Sequence, residues 1–177
     1  MGTEHTSVPR WQAEPPAFDA RARSCTVLAL GHDAEPVAGA WTAGACSAGI
    51  PVSAVRTDDL GEALALLEAD LASAVVGWRL HVAGPEAEVL HVQARARALG
   101  AVDSEVIAHV TGVPARQVLC LHCDAVTETD VLVGGAVTCA GCGGELHLYH
   151  HVSRRLGSYL GYLADAEDSE PPVLEPR

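Results

Sequence analysis

The sequence predicts an α/β fold in two parts, a mainly parallel sheet domain followed by a small four-cysteine module. Three observations carry this. Apolar runs of strand length alternate with helical stretches from residue 25 to residue 110, the pattern of a parallel sheet covered on both faces. Cys120, Cys123, Cys139 and Cys142 stand as C-x2-C, fifteen intervening residues, then C-x2-C, which is the ligand arithmetic of a four-cysteine zinc ribbon. From Pro114 the texture changes to short β candidates interleaved with the cysteine pairs.

Residues 1–22 hold Pro9, Pro15 and Pro16, scattered charge and no periodicity. They read as an arm, with Trp11 and Phe18 as docking points on its own domain or on a partner. The run 25–30, CTVLAL, ends at Gly31 and has the length of a buried strand. The small-residue stretch 35–48 reads as a helix, broken by Gly49 and Pro51, and 52–55 as a second strand. Asp59 and Glu62 have capping-box spacing, and Leu60, Leu64, Leu67 and Leu71 line one helix face. A third strand is expected over 75–82. Gly84-Pro85 then opens a helix with proline at its first position, Val89, Val92, Ala96 and Leu99 lie on its buried side, and Gly100 stops it. A fourth strand over 105–110 completes the order βαβαβαβ.

In the second part, 118–121, 130–133, 136–138 and 145–149 are the β candidates, and Gly134-Gly135 is a hairpin turn signal. Residues 153–163 have the spacing of a short helix, with Leu156, Leu160 and Leu163 on one side. Residues 164–177 carry five acids, one arginine and three prolines, the composition of a disordered acidic tail. The expected organisation is an arm (1–22), an α/β domain (23–112), a ribbon module with a C-terminal helix (113–163) and a tail (164–177).

Composition narrows the function. Net charge is −12, from 23 acids against eleven arginines and no lysine. Such a chain repels nucleic acid and anionic membrane surfaces, which argues against a nucleic-acid partner despite the finger-like cysteines. The apolar stretches are too short to span a bilayer, and the first residues lack a basic start followed by an apolar run. Metal-ligand cysteines without a signal peptide point to a reducing, cytoplasmic setting. Aromatics are only 4%, so the core must be built from Ala, Val and Leu.

Each C-x2-C pair suits a tight knuckle that aims two thiolates at one point, and a hairpin between the pairs would bring the knuckles together. Gly141, Gly143 and Gly144 supply the backbone freedom the second knuckle needs. A four-thiolate site has no open coordination position, so zinc there is expected to be structural. Other candidates are weaker. After the first strand runs Gly31-His32-Asp33-Ala34-Glu35-Pro36, where a dinucleotide loop needs glycines and tolerates acids badly. No phosphate loop of the G-x-x-x-x-G-K-[ST] type exists. His147, His150 and His151 converge poorly on a strand, where 147 and 151 share a face and 150 opposes them. His122 lies inside the first knuckle, but four cysteines already complete the shell. Cys25 and Cys46 read as buried small hydrophobes, and no catalytic residue is assigned.

Several residues carry a family resemblance. Gly112, Arg116, Val118, Cys120, His122 and Cys123 are followed by Val137-Thr138-Cys139 and Cys142-Gly143, then by His151-Val152-Ser153-Arg154-Arg155-Leu156, Tyr159, Gly161 and Ala164-Asp165-Ala166-Glu167. With Gly77-Trp78-Arg79 and Ala83-Gly84-Pro85-Glu86-Ala87, these resemble the small subunit of bacterial dimethylamine monooxygenase, the DmmA-like family. The resemblance implies membership of a multisubunit, NADPH-dependent system that oxidatively demethylates dimethylamine to methylamine and formaldehyde. It places haem on one partner, and FMN with an iron–sulfur cluster on a reductase partner. The α/β half also resembles the nicotinamide-binding domain of ferredoxin reductases, departing from it at the first loop and at Ala83, where that family has cysteine. That implies a degenerate domain kept as a scaffold.

Three functions follow as expectations. The first is an accessory subunit holding haem and reductase partners in electron-transfer range, with zinc at Cys120, Cys123, Cys139 and Cys142. The second is an electron-transfer subunit with iron at those cysteines, or a nicotinamide-binding reductase component. The third is a free-standing regulator or RNA-polymerase-type ribbon module, which the acidic charge disfavours. Arg154, Arg155, Tyr159 and Tyr162 are the residues expected to dock on a partner.

Overall fold

The computed structural model describes residues 6–164, so the expected acidic tail lies outside the described residues beyond Ala164. The first half holds β1 (Ser24–Leu30), α1 (Glu35–Ser47), β2 (Val52–Thr57), α2 (Leu60–Leu71), β3 (Trp78–Pro85), α3 (Glu86–Ala98) and β4 (Val106–Gly112). The strands form one sheet in the order β2-β1-β3-β4, and every pairing is parallel. That is the expected alternation and topology class. On one face, Leu28, Leu30, Leu80 and Val82 pack with Ala63 and Leu67 of α2 and with Val89, Val92 and Ala96 of α3. On the other, Val27, Ala29 and Ala83 meet Ala34, Ala38, Trp41 and Ala45.

Local signals explain several boundaries. The Asp59 carboxylate caps α2 by accepting the Gly61 N–H at 2.7 Å, satisfying one of the free donors of the first turn. Pro85 is the last residue of β3 and the N-cap of α3, so strand passes into helix with no loop between them. The third strand starts later than expected. Val75 and Val76 lie in the preceding turn, 66% and 90% exposed, because Trp78 N–H bonds back to the Val75 carbonyl and delays pairing with β1.

The second half is a five-stranded sheet of β5 (Arg116–Cys120), β6 (Val126–Thr129), β7 (Ala136–Thr138), β8 (Glu145–Ser153) and β9 (Ser158–Leu163), in the order β6-β5-β9-β8-β7. Two expectations are corrected here. Residues 153–163 are not a helix: they are the end of β8, a turn, and β9. The leucine spacing allowed a helix, but β9 fills the gap between β5 and β8, pairing parallel with one and antiparallel with the other. Gly161 fits there because a side chain would meet Val118 at 2.8 Å. Residues 130–133 form no strand either. The strand is 126–129, which pairs with β5 directly across the first knuckle, and Gly134-Gly135 is a turn between β6 and β7, which do not pair.

Helix α3 lies between the two sheets. Leu90, on the side away from the first core, packs with Val118, Leu146, Leu148, Val152 and Tyr159 of the second sheet. The arm docks on its own chain. Val8 and Trp11 pack against the second core, Pro16 accepts the Trp41 indole N–H at 2.8 Å, and Phe18 stacks on His81 with ring centroids 5.0 Å apart.

Candidate metal centre

Cys120 ends β5 and Cys139 follows β7, so each knuckle turns out of a strand. The two are built alike. Cys120 N–H bonds to the Ala125 carbonyl and Asp124 N–H to the Cys120 carbonyl; Cys139 N–H bonds to Gly144 and Gly143 N–H to Cys139. The residue four beyond the first cysteine takes the left-handed conformation in both, Asp124 at φ 59 and Gly143 at φ 74. Asp is one of the few side-chain-bearing residues that tolerate this. Thr127 Oγ1 on β6 accepts the Ala140 N–H at 3.0 Å, tying the second knuckle to the first hairpin.

The four Sγ atoms lie within 4.8 Å of one another. Across the knuckles, Cys120 and Cys142 are 3.9 Å apart, and Cys123 and Cys139 are 3.6 Å apart. A tetrahedron with metal–sulfur bonds of about 2.3 Å has edges of about 3.8 Å. The donor set fits a tetrahedral thiophilic ion in both chemistry and size. Four thiols this close share protons unevenly. The Cys142 backbone N–H, with that of Gly141, holds Cys139 down to about 6. Cys123 is pushed up to about 12, where desolvation and neighbouring thiols outweigh the Ala125 N–H. A cation at the centre relieves that crowding of charge. Cys120 and Cys139 are buried, whereas Cys123 and Cys142 are on the exposed side.

The remaining candidates scatter. His147, His150 and His151 are all exposed: His147 alternates with the buried Leu146 and Leu148, and the β8–β9 register shift between Leu148 and Val152 leaves His150 and His151 outside the core. His122 is exposed beside Cys142 at the edge of a groove of about 520 Å³. Cys25 is buried as expected and its thiol is pushed up to about 11 by burial; Cys46 is exposed, a correction, because its position on α1 faces away from the sheet. Asp33 and Glu35 lie in the 3-10 turn and first helical turn after β1. Of the expected docking residues, Tyr159 is only 2% exposed, and Arg154 is ion-paired with Asp103, which Arg97 also holds at 2.8 Å.

Sequence reasoning missed Glu86. Its carboxylate is 4% exposed at the first turn of α3, where the helix dipole favours negative charge. Trp11 donates its indole N–H to Oε1 at 2.7 Å and the Tyr159 hydroxyl donates to Oε2 at 3.0 Å. Arg116 Nε lies 3.9 Å from Oε2. Arm, α/β half and second sheet therefore meet on one carboxylate. Burial, then the charge of Glu86, pushes the Tyr159 phenol up to about 12. The stretch Ala83-Gly84-Pro85-Glu86-Ala87 holds the residue but gives no sign of its partners, which lie far along the chain.

A family model described as "Dimethylamine monooxygenase subunit DmmA-like, C-terminal domain" matches residues 117–162, the stretch from β5 to β9 that carries the four thiols. Residues 117–162 are thus similar to a DmmA-like C-terminal domain. The chain is also 39% identical over 102 residues to the "Heme-dependent oxidative N-demethylase delta subunit" of Ectopseudomonas mendocina (strain ymp). That similarity covers 58% of this chain and 57% of the relative's length. No solved structure matches the chain. Within the DmmA-like stretch lie the cysteines, the bulged β8 and Tyr159, so the match spans both the thiol cluster and its seat on Glu86. No helix of the described residues is long and apolar enough to cross a membrane.

Proposed function

We propose that the chain is an accessory subunit of a multisubunit haem-dependent oxidative N-demethylase. The observation that carries this is the DmmA-like match over residues 117–162, together with similarity to a subunit of such an enzyme. The proposed reaction is the NADPH-dependent demethylation of dimethylamine to methylamine and formaldehyde. Haem belongs to one partner subunit, and FMN with an iron–sulfur cluster to a reductase partner. Cys120, Cys123, Cys139 and Cys142 hold one zinc, which fixes the two knuckles and has no open position for substrate. The proposed organisation keeps an arm (1–22), a degenerate ferredoxin-reductase-like α/β scaffold (23–112), a zinc-ribbon module (113–163) and a tail (164–177), in a reducing cytoplasm that preserves thiolates.

Scaffolding is favoured over nicotinamide binding by the crevice beyond the carboxyl ends of β1 and β3, where a parallel sheet of this order binds ligands. Glu35 begins α1 and Glu86 begins α3 there, and carboxylates at helix N-termini compete with a pyrophosphate. Purification of the complex from the source organism, with subunits identified by mass spectrometry, tests the reading. Other demethylase subunits should co-purify, and the isolated chain should show no demethylase activity. Recovery of the chain alone at native expression overturns it. The iron reading is separated by colour: zinc tetrathiolate is colourless, whereas an iron tetrathiolate is red.

A further inference from the structure

Among the described residues, the five-stranded sheet buries only one face. Val118, Leu146, Leu148 and Tyr159 point toward α3 and the arm. The opposite face carries Val126, Leu119 and Leu160, which the strand register sets side by side across β6, β5 and β9. Tyr162 follows two residues along β9, and the Tyr149 ring meets it edge-on at 5.1 Å. No buried cluster among the described residues includes any of these five. Tyr149, Val126 and Tyr162 are 47%, 45% and 39% exposed. Tyr149 follows the buried Leu148, so strand alternation turns it outward beside Tyr162. The rim of this face is acidic: Glu128 stands beside Gln117 at one side and Glu145 beside Thr138 at the other.

An apolar centre rich in tyrosine inside a charged rim is the anatomy of a protein–protein interface. We propose that this open face is the docking surface for another subunit of the N-demethylase, one presenting an apolar strip bordered by arginine or lysine. The proposal rests on the accessory-subunit reading above. Charge complementarity selects the occupant. A second copy would set acidic rim against acidic rim in a chain of net charge −12. The chain's own residues 165–177, five acids against one arginine, meet the same repulsion.

The test is co-expression of the full chain with the other demethylase subunits of the source organism, followed by affinity measurement on the purified proteins. Two variants are compared with wild type: Tyr149→Ser/Tyr162→Ser and Glu128→Arg/Glu145→Arg. Both should weaken assembly at least about tenfold, with zinc content and circular dichroism unchanged. Wild-type affinity should fall as ionic strength rises from about 0.05 to about 0.5 M. If the tyrosine variant loses its metal, the charge-reversal variant decides. Wild-type affinity in both variants overturns the surface assignment while leaving the accessory reading intact. A wild-type chain that binds no subunit overturns both. A concentration-dependent homodimer abolished by the tyrosine substitutions assigns the face to a second copy and overturns the proposal.

Discussion

His81 sits fully buried in β3 between Phe18 and Trp41, with ring centroids 5.0 and 5.3 Å away. The Asp19 N–H donates to its Nε2 at 3.5 Å, leaving Nδ1 with the proton and no partner. Burial pushes its pKa down to about 4; nearby Asp19 acts upward and Arg79 downward. The unfolded chain, with a histidine pKa near 6.5, therefore binds the proton first. The stability that neutral His81 contributes is fully present above about pH 6.5 and is lost as pH falls toward 4. Urea midpoints should drop across that window in wild type, and the slope should flatten in His81→Gln. An equal slope in both would show that other groups govern acid sensitivity. Asp103, lowered by Arg97 and Arg154, acts only at the carboxylate end of the scale and does not imitate this.

At the scale of elements, α3 decides most. A helix buried on opposite sides shows no clean polar face, so its sequence predicts one packing surface and hides the other. The turn from β8 to β9 seats against it through Gly157, which has φ +67 and whose added Cβ would stand 2.7 Å from the Leu90 carbonyl. Both the left-handed backbone and the clash oppose a side chain. Gly157→Ala should lower stability by about 2 kcal/mol or more, read from denaturant midpoints. A neutral result would mean the turn is free of the helix. The helical spacing of Leu156, Leu160 and Leu163 misled because three leucines fit either period. The alternation of Tyr159, Gly161 and Leu163 against Leu160 and Tyr162 is the one the sheet uses.

Across the whole molecule, one device joins the halves and another holds the second half together. One is the Glu86 cluster, in which a single carboxylate satisfies Trp11 and Tyr159. Glu86→Ala leaves both donors and Arg116 without it, so it should cost about 3 kcal/mol and shift tryptophan fluorescence as Trp11 gains water. An unchanged melting temperature would contradict that role. The other is the four-thiol centre, without which the second sheet has two exposed knuckles and a small core. Stripping metal with a chelator, or Cys120→Ser, should disorder roughly residues 115–150 while the parallel sheet persists. Hydrogen exchange on the two halves distinguishes this from global unfolding, and full protection after metal loss would refute it.

The sequence by itself determined the features that depend on near neighbours along the chain. Strand–helix alternation, the Asp59 cap, the break at Gly49 and Pro51, and the two C-x2-C knuckles are all written within a few residues of one another. The four cysteines were legible as a set because a metal tetrahedron imposes its spacing locally, twice. Tertiary structure decided what depends on which distant surface arrives opposite. It turned Leu90 to a second core, drew Tyr159 inward to Glu86, set Tyr149 beside Tyr162, left Cys46 exposed, and folded the arm back over His81. Those outcomes follow from burial and hydrogen bonding between residues about 70 positions apart, such as Glu86 and Trp11 or Tyr159. Local pattern holds no record of such pairings, since only the closed fold brings these donors to the carboxylate.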